Sequence, residues 1–299
     1  MSASLAIVGN CQVGGLQKAM DLLSGAVRAK AFFMSALQGA DRSQALAELR
    51  EFDAVYAQPG DDPVFGAAAL REAGFPVREF PVIAFSAYHP DMVYAQVRGR
   101  TGLEILQSPV GDNHSALILY GHHIGLNASQ IANLFGEAGY RTVAFHDVWK
   151  DAWHELSATG DRSGFDLRPM MLSWSRRGPF MHTLNHPKAF VLADLAREIA
   201  VRENLTVRDL PAADFLIDDL MTSTIWPVYP EIAALYGVQG ACVFKKAMST
   251  TYYDLPEMIE RSLEIYDRVG RDEIHCWRFG LWDFLPGLRD NLLAIGRGA

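Results

Sequence analysis

Cysteine is scarce in this sequence of 299 residues, which contains only Cys11, Cys242 and Cys276. An odd count without a short paired spacing indicates neither a disulfide framework nor a zinc knuckle. Free thiols are typical of a reducing compartment. We therefore expect a cytoplasmic protein whose cysteines are reduced.

Long apolar runs and excess positive charge are also missing. The first apolar run covers only residues 5–8 and no basic region precedes it, which predicts a first strand and no signal peptide. No window reaches the roughly 20 apolar residues that a membrane-spanning helix needs, so no transmembrane segment is expected. The formal net charge of -8 argues against nucleic acid as a partner, because affinity for the phosphate backbone comes from concentrated Lys and Arg.

The sequence does contain enough apolar surface for a large core, with 49% hydrophobic and 21% charged residues. Apolar segments alternate with segments of helical spacing in the first third of the chain. This alternation predicts an α/β fold with a mainly parallel, doubly wound sheet flanked by helices. The predicted strands are residues 5–8, 27–33, 53–57 and 82–85, and the predicted helices are 16–23, 43–50 and 64–72.

Fewer strands are predicted in the rest of the chain, and the C-terminal third is expected to be largely helical. The predicted elements are strands at 116–120 and 141–145, a helix from Asn127 to residue 137, a loop or lid at 157–177, and helices at 188–203, 213–221, 256–268 and 282–295. We expect a catalytic α/β domain at residues 1–205 with a helical region at 206–299 packed on it. The alternative is one domain in which these helices cover the sheet.

Cys11 is the candidate nucleophile. Sheets of the predicted type place functional groups at the carboxyl ends of their strands, and Cys11, Gln58 and His89 each directly follow a predicted strand. Cys11 also precedes a helix, whose free N–H groups favour the reactive thiolate. The alternative is a small buried side chain that only packs.

Three amide side chains lie in the same predicted turns. Asn10 and Gln12 flank Cys11, and Gln58 follows the third predicted strand. With local backbone N–H groups, they are candidate donors to an oxyanion. Their alternative roles are turn formation for Asn10 and ordinary loop or surface positions for Gln12 and Gln58.

Two histidines are candidates for the general base. His89 lies in the segment YHPD at residues 88–91, where Asp91 is a possible orienting carboxylate. His186 lies in NHP, directly before the helix predicted at 188–203. Spacing does not decide between them, and each can instead be a local turn or helix cap.

Phosphate groups have candidate partners in two pairs of cations, Arg176 with Arg177 and Lys245 with Lys246. A solvated surface is the alternative for both pairs. Glycine spacings of the dinucleotide-binding and P-loop types do not occur, and neither does the H-E-x-x-H motif of zinc enzymes. No metal is therefore expected.

These motifs together resemble the WcbI family of polysaccharide-biosynthesis proteins. The resemblance rests on GNCQ at residues 9–12, QP at 58–59, YHPD at 88–91 and NHP at 185–187, and it covers roughly residues 4–200. Family members are bacterial capsule acetyltransferases that use coenzyme A. The resemblance implies transfer of acetyl from acetyl-CoA to a hydroxyl of a sugar or glycan acceptor in a capsular or other surface polysaccharide. It also implies Cys11, His89 and His186 as site residues.

Two other functions stay open. The turn around Cys11 more loosely resembles that of the SGNH esterases, with cysteine in place of serine, although their terminal D-x-x-H block is not evident. The chain would then be a cysteine-dependent esterase or deacetylase, in which water replaces the sugar. The second possibility is a non-catalytic protein that binds a nucleotide-like ligand and only buries Cys11.

Overall fold

The computed structural model describes residues 3–100 and 102–298. The chain forms two compact units, each assembled from more than one segment. The first comprises the residues up to Ala84, Trp153–Met181 and Asn185–Met221, and the second comprises Phe85–Ala152, His182–Leu184 and the residues from Thr222 onwards. The expected catalytic domain at 1–205 and helical region at 206–299 stay a prediction.

A four-stranded sheet organises the first unit. Its strands are all parallel, and their order is β2-β1-β3-β4, which confirms the predicted α/β class. Strands and helices alternate along this part of the chain: β1 (Ala3–Gly9), α1 (Gln12–Leu23), β2 (Val27–Phe33), α2 (Met34–Gly39), α3 (Arg42–Leu49), β3 (Ala54–Ala57), α4 (Ala67–Glu72) and β4 (Val77–Glu79).

Burial explains why β1 and α1 form where they do. Residues 5–9 of β1 are all buried, as expected for a central strand that is covered on both faces. In α1, Val13, Leu16, Met20 and Leu23 recur at helical spacing and form a buried face. These contacts fix the turn between the two elements, where Cys11 lies.

The middle of the chain contains short elements and two long helices, α8 and α10. They are β5 (Met92–Tyr94), β6 (Gln96–Arg98), β7 (Leu103–Ile105), β8 (Asn113–Ser115), α5 (Ala116–His123), α6 (Ala128–Ala132), α7 (Glu137–Thr142), α8 (Val148–Arg162), α9 (Arg168–Arg176), β9 (Met181–Thr183), β10 (His186–Pro187) and α10 (Ala189–Arg202).

Helices predominate after α10, as predicted. The elements are α11 (Pro230–Tyr236), β11 (Val243–Lys245), β12 (Tyr252–Asp254), α12 (Leu255–Val269), β13 (Ile274–His275), α13 (Trp277–Asp283) and α14 (Leu288–Arg297). Within the residues that the structure describes, no helix combines the length and the apolar character required to cross a bilayer.

Stacked aromatic side chains build much of the core of the second unit. Tyr140 stacks on Tyr229 with ring centroids 5.6 Å apart and an interplanar angle of 12°. Trp226 packs edge-on against Phe244 at 4.9 Å. Because Trp226 and Tyr229 are both buried, they pack in the core and present no aromatic surface to a ligand.

The fourth strand is displaced from its predicted place. β4 is Val77–Glu79, whereas residues 82–85 form no strand. Burial accounts for their apolar character, but the backbone N–H and carbonyl of Ile83 bond to the side chain of Gln12. The side-chain amide of Gln12 therefore takes the hydrogen bonds that a neighbouring strand would otherwise make with Ile83. The apolar pattern of residues 82–85 does not reveal this.

The strands predicted at 116–120 and 141–145 were wrong. The first is α5, which is buried from Ala116 to His122 and begins where Ser115 Oγ accepts a hydrogen bond from the N–H of Ile118 at 3.1 Å. A short apolar run that is buried on all sides has the same pattern in a helix and in a strand. The second is the end of α7 followed by a 3-10 turn, Phe145–Asp147.

The loop or lid predicted at 157–177 was also wrong, because α8 and α9 cover most of it. Its Gly, Ser, Asp and Arg residues lie mainly on exposed helix faces, whereas Phe165, Met171 and Trp174 are buried. The two helices meet near Gly164, which has a φ of 75°. The polar composition of residues 157–177 therefore led to a loop prediction for a segment that forms parts of two amphipathic helices, α8 and α9.

Two of the predicted C-terminal helices differ from the structure. Residues 213–221 contain only the 3-10 turns Ala212–Asp214 and Asp219–Thr222, and 282–295 is divided between α13 and α14. The helices predicted at 188–203 and 256–268 are confirmed as α10 and α12. Asn127 caps a helix as predicted, but that helix ends at Ala132.

Replacing Leu16 by alanine is predicted to destabilise the first unit. Leu16 is fully buried in α1, so Leu16→Ala should lower the free energy of unfolding by about 2–5 kcal/mol through lost burial and a residual cavity. Urea unfolding measures the change. Lys18→Ala on the same helix is the control, because its exposed ion pair with Asp219 contributes about 1 kcal/mol or less. Equal effects of the two substitutions would contradict the assigned packing of α1.

Candidate active site

The candidate residues of the first unit meet where the sheet topology reverses. β1 lies between β2 and β3, so the connections leave it in opposite directions. Open α/β sheets bind ligands at such a switch point, beyond the carboxyl ends of the strands. Asn10 and Cys11 directly follow β1, and Gln58 directly follows β3. The structure thus brings these three residues to the position that the fold favours for a site.

Gln58 joins the two turns through Asn10. Its Oε1 accepts a hydrogen bond from the backbone N–H of Asn10 at 2.8 Å. A Cβ at Gly9 would lie 2.4 Å from this oxygen, so only glycine leaves room for the bond. Gln58 is buried, and its amide therefore acts mainly as a fixed link between the ends of β1 and β3.

Gln12 is fully buried and bonds to backbone on two sides. Its Nε2 donates to the carbonyls of Ile83 and Asn185, each at 2.9 Å, and its Oε1 accepts from the N–H of Ile83 at 3.1 Å. Both amide hydrogens are used in these bonds. The oxyanion role of Gln12 stays a prediction, and it requires one of these hydrogen bonds to break.

Asn10 keeps a free donor. Its Oδ1 accepts from the N–H of Gln12 at 3.0 Å and so closes the turn before α1. Its Nδ2 has no hydrogen-bond partner among the described residues, and the side chain is only half-buried. Of the three predicted amide donors, Asn10 has the one best placed to bond to a ligand.

The thiol of Cys11 is accessible but protonated at rest. Cys11 is the N-cap of α1 and the only exposed cysteine. Burial of the sulfur by surrounding protein raises its pKa above the ordinary cysteine value, and the backbone N–H of Cys11 only partly offsets this. The predicted lowering of its pKa by α1 is therefore corrected, because desolvation outweighs the helix N-terminus.

The segment that contains His186 is linked to the start of α1 by a hydrogen bond from Gln12. The Asn185 carbonyl bound by Gln12 directly precedes His186, which is half-buried. Two residues further, Lys188 caps α10, and burial lowers its pKa while the charge of Asp218 opposes that shift. Sequence analysis missed Lys188, although a lysine directly after NHP, at a predicted helix start, was the available signal.

His89 and Asp91 belong to the second unit. His89 is buried, with Nδ1 3.3 Å from the carbonyl oxygen of Pro227. The carboxylate of Asp91 accepts hydrogen bonds from the N–H of Leu117 at 2.9 Å and the hydroxyl of Tyr229 at 2.7 Å. Burial nevertheless raises the pKa of Asp91 to about 6. These contacts anchor α5, and the predicted catalytic roles of His89 and Asp91 stay predictions.

The two predicted cation pairs lie in different units. Arg176 and Arg177 end α9 in the first unit, where the Arg177 guanidinium lies 3.9 Å from the ring centroid of Phe190. Lys245 belongs to the second unit, and its Nζ donates to the carbonyls of two residues, at 3.0 and 3.1 Å. Lys246 follows it and is exposed. Phosphate binding by either pair stays a prediction.

In the part of the chain that the structure describes, no group of three His, Cys, Asp or Glu side chains is arranged to hold a metal ion. The fold and the turn instead define an α/β protein with a cysteine site at the carboxyl edge of its sheet. The family model described as polysaccharide biosynthesis enzyme WcbI matches residues 4–208. The chain therefore belongs to the WcbI family of polysaccharide biosynthesis enzymes, and the resemblance drawn from its motifs is confirmed.

A solved structure of WcbI is similar to this chain. The similarity covers 99% of both chains, with a TM-score of 0.69 and 15% sequence identity, which shows a shared fold. That protein is described as a novel polysaccharide biosynthesis enzyme, in native form without a disulfide bond between coenzyme A and one of its cysteines. A comparison with curated proteins found no match.

Gly9→Ala is predicted to break the link between β1 and β3. The new methyl group would displace Gln58 Oε1, so the variant should lose about 1–3 kcal/mol of unfolding free energy. Gln58→Ala loses the same bond, and the double variant should therefore be less destabilised than the sum of the single changes. Urea unfolding measures all three. Gly39→Ala, which meets no atom within 4 Å, is the matched control, and strict additivity would contradict the link.

Cys11 in the free protein is predicted to alkylate slowly at neutral pH. A raised pKa leaves less thiolate at pH 7 than an ordinary cysteine has, so the rate should increase through a midpoint above the model-peptide value of about 8.5. Iodoacetamide labelling of a Cys242→Ser/Cys276→Ser chain measures it, with the same chain in urea as reference. A native midpoint below that of the unfolded chain would show that α1 activates the thiol.

Proposed function

We propose that this chain is a coenzyme A-dependent O-acetyltransferase that acts on a sugar hydroxyl during synthesis of a capsular or other surface polysaccharide. The observation that carries the proposal is the exposed Cys11 thiol beside the Asn10 amide, at the switch point of a WcbI-family sheet. The solved WcbI structure, whose description names coenzyme A and a cysteine, adds support.

The proposed reaction has two balanced steps. In the first, Cys11 Sγ attacks the thioester carbonyl of acetyl-CoA, the bond from that carbonyl to the coenzyme sulfur breaks, and the acetyl group remains on Cys11. In the second, the sugar hydroxyl attacks the acetyl carbonyl, the ester forms, and the Cys11 thiol returns. Both thioesters are of similar energy, so the first step is readily reversible. Direct transfer to the sugar, with Cys11 as a site residue, stays the alternative.

Proton transfer is needed because the resting thiol is protonated. A base must take the Cys11 proton in the first step and give it to the departing coenzyme thiolate. In the second step it must take the hydroxyl proton and give it to the departing Cys11 sulfur. We assign this role to His186, because Gln12 connects its segment to the turn that holds Cys11. His89 stays the alternative base that the family resemblance implies.

Charge that develops on the acetyl oxygen requires nearby donors. The Nδ2 of Asn10 serves as the donor in this proposal, because the N–H groups of Gln12 and Val13 at the start of α1 already bond to Asn10. Gln12 and Gln58 act as positioning residues, since their amides hold the backbone around Cys11.

Coenzyme A also carries phosphates that require cations. We assign Arg177 to this role, because the ring of Phe190 holds its guanidinium in place while the residue stays exposed. Arg176 is its neighbour at the end of α9. Arg177→Gln should weaken binding of coenzyme A more than binding of acetyl-pantetheine, which lacks the nucleotide phosphates.

The half-reaction with acetyl-CoA tests the proposal without a known acceptor. Mixing protein and acetyl-CoA should release a burst of coenzyme thiol of about one per protein and add one acetyl group to Cys11, measured by thiol titration and peptide mass spectrometry. Cys11→Ala should abolish both signals, while Cys242→Ala and Cys276→Ala leave them unchanged. His186→Gln should slow the burst by about 100-fold or more.

Three other results would change the assignment. Rapid hydrolysis of an aryl acetate without any dependence on coenzyme A indicates the esterase or deacetylase. Stabilisation by acetyl-CoA in thermal unfolding without acetylation of Cys11 indicates direct transfer, because ligand binding alone raises the apparent stability. An absence of both stabilisation and acetylation at millimolar acetyl-CoA would reject coenzyme A as substrate.

A further inference from the structure

The second unit contains a cavity that the proposed chemistry of Cys11 does not use. Its volume is about 530 Å³, which lies within the usual range of about 300–1,000 Å³ for small-molecule sites. Trp277 and Phe279 supply aromatic surface, and Gln96, His123, Arg271 and His275 supply polar groups. Most of these residues lie beyond the part of the chain that the family model matches, residues 4–208.

The fold brings these residues together from two strands, two helices and the 3-10 turn Arg271–Glu273. β13 pairs with β6 in antiparallel fashion, which places His275 opposite Gln96. α13 begins immediately afterwards with Trp277, and α5 ends at His123. The ring of His123 stacks on Phe279 with centroids 4.5 Å apart and an interplanar angle of 19°. The lining is therefore tied to regular secondary structure.

Trp277 is exposed but held in position. Its exposed fraction is 63%, which is unusual for a residue that is highly buried on average. The Arg278 guanidinium lies 4.9 Å from the centroid of its ring and donates to the carbonyl of Pro90 at 2.9 Å. A fixed aromatic ring of this kind is suited to the apolar C–H face of a sugar ring, and it loses little entropy when it binds one.

One cation of the lining is available to an anion. Arg271 is exposed, and it forms no ion pair with any residue in the described parts of the chain. Two histidines accompany it, and Asp272 is the one acidic residue of the lining. The formal charges of Arg271 and Asp272 cancel, so the preference for an anion rests on the guanidinium of Arg271, which has no ion-pair partner among the described residues. An unpaired guanidinium is a preferred partner for carboxylate or phosphate.

We propose that this cavity binds an anionic saccharide, with the sugar ring on Trp277 and its carboxylate or phosphate on Arg271. The saccharide class draws on the family's role in polysaccharide biosynthesis, and the preference for an anion comes from the lining itself. The inference extends the proposed function by naming a class of acceptor. It concerns binding in the second unit, which is measurable without acyl transfer.

Calorimetric titration of the full chain tests the proposal. The probes are trigalacturonate, glucose 1-phosphate, neutral maltotriose and inorganic phosphate. At least one of the two anionic sugars should bind at least about tenfold more tightly than maltotriose and phosphate, a difference of about 1.4 kcal/mol. Binding of trigalacturonate alone assigns a carboxylate, and binding of glucose 1-phosphate alone assigns a phosphate.

Matched substitutions locate the binding. Trp277→Leu and Arg271→Gln should each weaken it about tenfold or more, whereas Phe284→Leu and Arg268→Gln, also at exposed positions, should change it less than about twofold. Thermal unfolding checks that all four variants fold. Unchanged binding in both cavity variants would overturn the assignment.

Two further outcomes would also overturn the proposal. If neither anionic sugar binds, or if maltotriose or free phosphate binds equally well, the cavity has no preference for an anionic saccharide. If saturating coenzyme A displaces the sugar, the cavity is a nucleotide site. No acetyl-CoA is present in the sugar titrations, so a failure of Cys11 chemistry leaves their result unaffected.

Discussion

The buried amide of Gln12 is the interaction on which the candidate site depends. A fully buried amide must satisfy its donors and acceptor within the protein, since an unmade bond costs about 1–3 kcal/mol. Gln12 does so by binding Ile83 and Asn185, two positions that are far apart in sequence. The segment before α10 and the segment after β4 are thereby fixed to the residue beside Cys11.

This arrangement separates positioning from chemistry. Amides in the interior hold the backbone of the turn, while the proposed function leaves the Cys11 thiol and the free Nδ2 of Asn10 for the substrate. Gly9 contributes by having no side chain, which lets Gln58 approach the turn. Most of the polar side chains of this turn are therefore structural, and substitutions at Gln12 and Gln58 are expected to act through geometry.

Sequence patterning predicted the sheet well and the rest of the chain poorly, for physical reasons. β1 and β3 are the two central strands and are almost wholly apolar, while the edge strand β2 alternates buried and exposed residues. Both patterns are recognisable in sequence, and so are turn residues such as Asn10. Residues 82–85 and α5 are equally apolar, but side-chain bonds from Gln12 and Ser115 decide their backbone form. Hydrogen bonds from individual side chains to the backbone produce no periodic pattern in the sequence. The pKa of Cys11 escaped prediction for the same reason, because desolvation depends on residues distant in sequence.

The raised pKa of Cys11 has a consequence for the lifetime of the protein. Peroxides and other oxidants attack the thiolate and proceed through sulfenic acid to irreversible products, so a thiol that stays protonated at rest is oxidised slowly. An exposed cysteine with a lowered pKa would be consumed continuously between turnovers. In the proposed reaction Cys11 becomes a strong nucleophile only when a base takes its proton, which would let the chain keep this sulfur accessible with little chemical damage.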